Sequence, residues 1–279
     1  MGAMPILGDL DDRASLSRIA GLADAVLHFA PPSAENPPCP PLLKGGDCTN
    51  PLALRFPPFA KGGQGGFAFA DMRTRNLLSV LSQGKAPKRL VYISTSGVYG
   101  DCGGAWVSET HPLKASSPRA QRRVDAERQI RNWARRNQVN ASILRVPGIY
   151  AADRLPLERL RAGTPAIVQD EDSYTNLIHA DDLARISIAA LQRGKSCRVY
   201  HASDDSQLKM GEYFDLVADA YHLPRVPRIS RAEAQQVLPE TLLSFMNESR
   251  RLINQRMKQE LKVALRYPTV ADMLREIRP

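Results

Sequence analysis

Arginine is the residue type whose placement carries most chemistry in this sequence. Arg119, Arg122, Arg123, Arg128, Arg131, Arg135 and Arg136 crowd one helical stretch. A guanidinium stays charged at any ordinary pH and accepts no hydrogen bond, so it can hold a ribose or a phosphate but cannot shuttle a proton. Nucleic acid is one partner such a stretch could serve, but Ala120, Val124, Ile130 and Trp133 give it an apolar face that packs inward and leaves the arginines at its rim. A second cluster, Glu248-Ser249-Arg250-Arg251-Leu252 with Asn254 and Arg256, has two readings: a site for an anionic group, or an ion-paired surface helix. Cys39, Cys48, Cys102 and Cys197 are scattered without CxxC spacing or paired His, so neither a zinc site nor a disulfide framework is indicated and no metal site is expected. Gly62-Gly63-Gln64-Gly65-Gly66 follows a proline-rich loop, not a buried strand, so it is not a phosphate-binding GxGxxG turn.

The elements that position these residues follow from the apolar pattern. Ala25 to Ala30, Arg89 to Thr95, Ser142 to Val146 and Arg198 to Ala202 are apolar runs of strand length, continuous where a half-exposed strand would alternate, as expected of strands buried on both faces. Helices are expected near Arg13 to Gly21, Asp71 to Gln83, Ser117 to Asn137, Asp181 to Gln192 and Met210 to Ala220, with Asp181 or Asp182 as an N-cap and Gly194 as a stop. Strands alternating with helices predict an α/β, doubly wound parallel sheet. The helical remainder predicts a smaller, mostly helical C-terminal cap, with the boundary at residue 205/206. Residues 33–67 are rich in Pro and Gly without a period, and two near copies of one phrase (Pro40 to Gly46, Pro57 to Gly63) mark a disordered insertion. The net charge of +9 is spread over helical stretches and reads as solvated helix faces. No apolar run is long enough for a membrane span and Met1 to Asp12 lacks the pattern of a signal peptide, so a cytoplasmic protein without a membrane partner is expected.

Four phrases occur in a distinctive order. They are Leu27-His28-Phe29-Ala30 followed by Pro31-Pro32; Val91-Tyr92-Ile93-Ser94-Thr95-Ser96-Gly97-Val98-Tyr99-Gly100; Leu144-Arg145-Val146-Pro147-Gly148-Ile149-Tyr150; and Ile178-His179-Ala180-Asp181-Asp182-Leu183-Ala184. Together they resemble the extended short-chain dehydrogenase/reductase superfamily, in the NAD-dependent epimerase/dehydratase-like branch that includes the YeeZ-like proteins. The resemblance implies a Rossmann-like core that binds NAD or NADP and acts on a polar small-molecule substrate, nucleotide-linked compounds included. It assigns Asp9 and Leu10 to the adenine, and Ala30, Pro31, Pro147 and Gly148 to the nicotinamide side. Thr95 falls on the catalytic Ser/Thr, while His179 and Asp182 close the substrate side and Arg250 and Arg251 meet an anionic substrate group. From the residues themselves, Asp9 could equally cap a helix from Arg13, and Thr95 could satisfy backbone groups at a strand end.

Two departures from that family matter. Its Gly-rich turn, which approaches the cofactor pyrophosphate at a helix N-terminus, has no counterpart here. On that pattern the first βαβ unit would precede Gly8, so the sheet is expected to be N-terminally incomplete by roughly 45 to 50 residues. Sheet edge and apolar surface near Leu7, Val26 and Leu27 should then be exposed and promote self-association. The second departure is at the Tyr-x-x-x-Lys pair, whose aligned positions hold Arg119 and Arg123. Arg123 can still position a cofactor; Arg119 cannot replace the phenol, for which Tyr99, Tyr150 and Tyr174 are the other sources. Two functions are therefore expected from different classes: an NAD(P)-dependent epimerase/dehydratase-like oxidoreductase, or a catalytically inactive remnant or binding protein of the same fold.

Overall fold

The computed structural model describes residues 3–33 and 69–276. The Pro/Gly-rich insertion, apart from Ser33, lies outside the described residues, as do Cys39 and Cys48. The central sheet has four parallel strands, β1 (Ala25–His28), β2 (Arg89–Thr95), β3 (Asn140–Val146) and β4 (Arg198–His201), side by side in that order. The register pairs His28 with Tyr92, Thr95 with Val146, and Arg145 with His201. All four apolar runs therefore became strands, each within two residues of its expected bounds.

Strand alternation divides the core between two faces. Leu90, Tyr92 and Ile143 point to one face, under helices α1 (Met72–Leu81) and α2 (Pro118–Asn137), and pack with Leu77, Ile130 and Trp133. Val91 and Leu144 point to the other, under α3 (Ala180–Arg193) and a short helix Gln255–Leu261, and pack with Ile186, Met257 and Leu261. The result is the three-layer sandwich that buries an all-parallel sheet. Its helices start where side chains meet free backbone N–H groups. Asp71 accepts from Thr74 N, and Ser117, followed by Pro118, accepts from Ala120 N. Trp133 Nε1 donates to Ser82 Oγ at 2.8 Å, tying α2 to α1.

Several expectations need correction. The N-cap of α3 is His179, whose Nδ1 accepts from Asp181 N at 3.2 Å; neither aspartate caps it. The stretch expected as a helix at Arg13 to Gly21 is a 3-10 turn, Ala14–Ile19. Asp9 does not cap it: Asp12 Oδ1 accepts from Ala14 N, while Asp9 Oδ1 accepts from Asp11 N. The packing does not divide at residue 205, since Tyr150, Leu160, Ala166 and Leu177 share one cluster with Tyr213, Phe214 and Val217 of α4 (Met210–Ala220). Conversely, Met257 and Leu261 return to the sheet. Nor is the Arg250 region a surface helix. Arg251–Leu252 is a short strand, parallel to Trp106–Val107. At the front, β1 has β2 as its one partner among the described residues, and Leu7 and Leu27 are 93% and 43% exposed.

Candidate functional site

In a parallel sheet covered by helices, ligands meet the carboxyl ends of the strands, where helix N-termini and loops converge. Here β1, β2 and β3 end side by side. Ala30 and Pro31 follow the first, Thr95 closes the second, and Pro147 and Gly148 follow the third. Thr95 is half-buried, and its Oγ1 accepts from Gly97 N at 3.2 Å, capping the one-turn 3-10 helix Ser96–Tyr99. That bond occupies one lone pair and leaves the hydroxyl proton free to donate. Gly148 is exposed, and a Cβ there would stand 3.1 Å from Leu177 Cδ2, so the chain after β3 passes close over Leu177.

The front segment is held beside this end of β1. Arg73 of α1 forks onto Asp11, at 2.6 Å at its closest, and also donates to Pro31 O at 3.2 Å; Asn76 Nδ2 donates to Leu10 O at 2.9 Å. The structure thus gathers Asp9, Leu10, Ala30 and Pro31 around the start of α1, with Asp9 exposed.

Helix α2 brings Arg119 and Arg123 toward β2. Arg123 Nη1 donates to Tyr92 Oη at 2.9 Å and to Ile93 O at 2.7 Å, and its guanidinium lies 5.5 Å from the Tyr92 ring centroid. Its charge adds to desolvation in lowering His28 to about 4. Arg119, on the first turn of α2, interacts electrostatically with Glu248 and Arg123. Other α2 arginines are paired within the helix: Arg131 with Glu127 at 2.9 Å, and Arg128 with Asp125.

The three tyrosines that could have supplied a phenol point elsewhere. Tyr99 is fully buried in a polar network, receiving from Arg145 Nη1 at 2.6 Å and facing His201 Nε2 at 2.5 Å. Arg145 in turn forks onto Glu127 at 3.0 and 2.7 Å, and Glu127 also accepts from Ser94 Oγ at 2.7 Å. Desolvation pushes Tyr99 up to about 12 and pulls His201 down to about 3. Tyr150 donates to buried Asp204 at 3.1 Å, and desolvation followed by that carboxylate raises its pKa. Tyr174 lies under the guanidinium of Arg251.

The expected substrate-side residues separate. Asp182 is fully buried, accepts from Arg266 N and Tyr267 N at 2.8 Å each, and pairs with Arg185. It fastens the C-terminal segment to α3 and does not face a cleft. His179, the cap of that helix, packs edge-to-face on Tyr150 and tilted against Tyr267, and desolvation lowers its pKa. Arg250 is 8% exposed and turned inward, onto Gly100 O at 2.7 Å and Glu248 Oε2 at 2.9 Å. Arg251 is the more accessible of the two. It lies 4.7 Å from the ring centroids of both Trp106 and Tyr174 and lines a cleft of about 470 Å³ with Asn176, Asp204, Ser206 and Gln255.

Glu248 is not among the site residues expected from the sequence, where its cluster reads as an anion site or an ion-paired surface helix. Its carboxylate lies against Ser116 Oγ at 3.5 Å and Arg250 Nη1 at 2.9 Å, and its Oε2 stands 3.7 Å from where a Cβ on Gly97 would be. Its approach to Ser116 and Gly97, both more than 130 positions away, leaves no local signal. No group of three acidic, His or Cys side chains able to hold a metal occurs among the described residues.

Residues 71–202 match the model of the NAD dependent epimerase/dehydratase family. No curated protein matches the chain. Among solved structures, a functionally unknown conserved protein from Silicibacter pomeroyi DSS is 28% identical, over 79% of this chain and 80% of its own, with a TM-score of 0.68. DesIV, a dTDP-glucose 4,6-dehydratase from Streptomyces venezuelae solved with NAD and DAU bound, is 20% identical over 96% and 77%, with a TM-score of 0.65. RMD from Pseudomonas aeruginosa, complexed with NADPH, is 18% identical over 98% and 87%, with a TM-score of 0.68. The parallel sheet and the family match define the class: residues 71–202 carry a domain that matches the NAD dependent epimerase/dehydratase family, set in a Rossmann-like α/β fold shared with these solved structures.

Proposed function

We propose that the protein is an NAD(P)-dependent epimerase/dehydratase-type enzyme acting on a polar, nucleotide-linked substrate at Thr95. The observation that carries this reading is the place of Thr95, a hydroxyl with a free proton, at the end of β2 between the ends of β1 and β3. The strand ends flanking it carry the short side chains of Ala30, Pro31, Pro147 and Gly148, which suit the flat nicotinamide and its ribose. These residues would hold that half of the cofactor, with Asp9 and Leu10 beside the adenine. The pyrophosphate finds no glycine-rich turn opening a helix among the described residues, and the start of α1 carries the carboxylate of Asp71. When bound, the dinucleotide accepts or donates a hydride.

The chain's own part is to bind and orient. The Thr95 hydroxyl donates to a substrate oxygen. Arg119, which interacts electrostatically with Glu248 and Arg123, holds a permanent positive charge that can stabilise a developing oxyanion or a phosphate, but offers no lone pair to take a proton. Arg251, stacked on Trp106, offers a second cationic contact suited to a phosphate.

A second reading, a binding protein without turnover, is favoured by one observation: the positions of the proton-transferring pair hold Arg119 and Arg123, and Arg123 is engaged with Tyr92 and Ile93. Titration with NADH and NADPH by fluorescence, followed by a hydride-transfer assay with UDP-glucose on the wild type and Thr95→Val, separates the two. Turnover that falls at least about 100-fold in Thr95→Val supports the enzyme. Cofactor binding without turnover supports the binding protein, and no cofactor binding at millimolar concentration refutes both.

A further inference from the structure

Arg145 reaches both ends of the segment that carries Thr95. Its Nη1 donates to Tyr99 Oη at 2.6 Å, and its Nε and Nη2 fork onto Glu127, which accepts from Ser94 Oγ at 2.7 Å. Ser94 directly precedes Thr95, and Tyr99 is the last residue of the Ser96–Tyr99 turn that Thr95 caps. Ser94, Tyr99, Glu127 and Arg145 are each at most 2% exposed, so these bonds are shielded from bulk water.

Chemistry fixes the direction of the protons at the Tyr99 end. A guanidinium can only donate, so Tyr99 Oη accepts from Arg145 and its own proton goes to His201 Nε2, 2.5 Å away. His201 Nδ1 stands 2.9 Å from Ile253 O, and a carbonyl can only accept, so Nδ1 carries the ring proton and Nε2 presents a lone pair. Both contacts assign the same tautomer. Either other state of the ring would leave the Tyr99 proton without an acceptor in a fully buried place.

The Thr95 side chain is set by its bond from Gly97 N, so its orientation follows the turn. At the far end of that turn the Tyr99 hydroxyl is gripped from two strands, by Arg145 of β3 and His201 of β4. We propose that His201 is a positioning residue for Thr95: as the Nδ1–H tautomer it takes the Tyr99 proton and, with Arg145, clamps the turn that aims the Thr95 hydroxyl. The inference rests on the role of Thr95 proposed above and extends it to the buried residues behind the site.

The test is NMR of the full chain without ligand, isotope-labelled at histidine nitrogens and threonine methyls, on wild type, Tyr99→Phe, His201→Leu and His201→Gln. Tyr99→Phe removes one oxygen and keeps the buried ring, so the test survives if His201→Leu fails to fold. In the wild type, His201 should carry a proton on Nδ1 and none on Nε2, and the Thr95 methyl should report a single side-chain rotamer. Tyr99→Phe and His201→Leu should each turn that rotamer into an average. His201→Gln, whose amide offers an acceptor and a donor side by side, should retain it. In the hydride-transfer assay Tyr99→Phe should lower kcat about tenfold, the worth of about one hydrogen bond, and leave KM within about twofold. A proton on His201 Nε2, or a single Thr95 rotamer kept in folded Tyr99→Phe, overturns the clamp whatever the activity. A Thr95 rotamer that depends on Tyr99 and His201 in a protein without turnover supports the clamp and overturns the enzyme reading instead.

Discussion

Replacing Asp204 by Asn should change how the stability of this protein depends on pH more than any other single substitution. Asp204 is 4% exposed at the junction between the sheet and the C-terminal segment. Its Oδ2 accepts from Tyr150 Oη at 3.1 Å and Ser206 Oγ at 3.2 Å, and its Oδ1 from Ser206 N at 2.9 Å. These are neutral donors, and the nearest charge is the like-signed Asp205, whose own cationic partner is Lys258. Desolvation dominates and pushes Asp204 up to about 7. A carboxyl whose folded pKa is raised binds more protons in the folded than in the unfolded chain between the two values, so stability falls as pH rises from about 4 to about 7. A rise of roughly three pH units at about 1.4 kcal/mol each is worth up to about 4 kcal/mol at pH 8. Urea denaturation of wild type and Asp204→Asn at pH 5, 6, 7 and 8 measures it. The variant should gain on the wild type by about 2 to 4 kcal/mol between pH 5 and pH 8, and His28 and His201, common to both proteins, cancel in the difference. Parallel curves for the two proteins would refute the claim that this carboxylate is buried without compensation.

Arg145→Leu should cost about 3 kcal/mol, because it leaves the fully buried Glu127 carboxylate with only Arg131 and Ser94 as partners, whereas Arg145→Leu with Glu127→Leu should cost markedly less; chemical denaturation decides. His201, lowered to about 3, and His28, lowered to about 4, remain neutral in the folded chain while their unfolded counterparts protonate below about 6.5. Their contribution is complete above that pH and is lost as pH falls toward 3 to 4, so His201→Gln should flatten the acid limb of a stability-versus-pH curve. Gly100→Ala should destabilise by more than about 1 kcal/mol in a thermal melt, since φ is +65° and a Cβ would stand 2.3 Å from Lys114 O.

Much of this architecture was legible because its signals are local. The runs RLVYIST and SILRV are apolar without alternation, and their strands are covered on both faces. Met210–Ala220 is helical over the bounds its pattern set. What was not legible depended on partners far along the chain. Asp181 and Asp182 have the composition of an N-cap, yet His179 caps α3 because Asp182 turns inward to hold backbone groups 84 and 85 residues away. Arg250 and Arg251 have the look of a surface helix, but Trp106–Val107 offers a strand edge that extends Arg251–Leu252. At the site, the order of Thr95, Pro147 and Gly148 at strand ends followed from the phrases that carry them. The approach of Glu248 to Gly97 followed from nothing nearby. Arg123 shows the converse: its type allowed a ribose contact, and the fold spends its Nη1 on Tyr92 and Ile93.

The central claim, that the ends of β1, β2 and β3 form one site for a nicotinamide cofactor and a polar substrate, is tested most directly by a crystal structure of the protein grown with NAD⁺ and UDP-glucose. The account predicts the nicotinamide against Ala30, Pro31, Pro147 and Gly148, with a glucose oxygen within hydrogen-bond distance of Thr95 Oγ1. Both ligands lodged instead in the Trp106 and Arg251 cleft, with the strand ends empty at millimolar ligand, would contradict it.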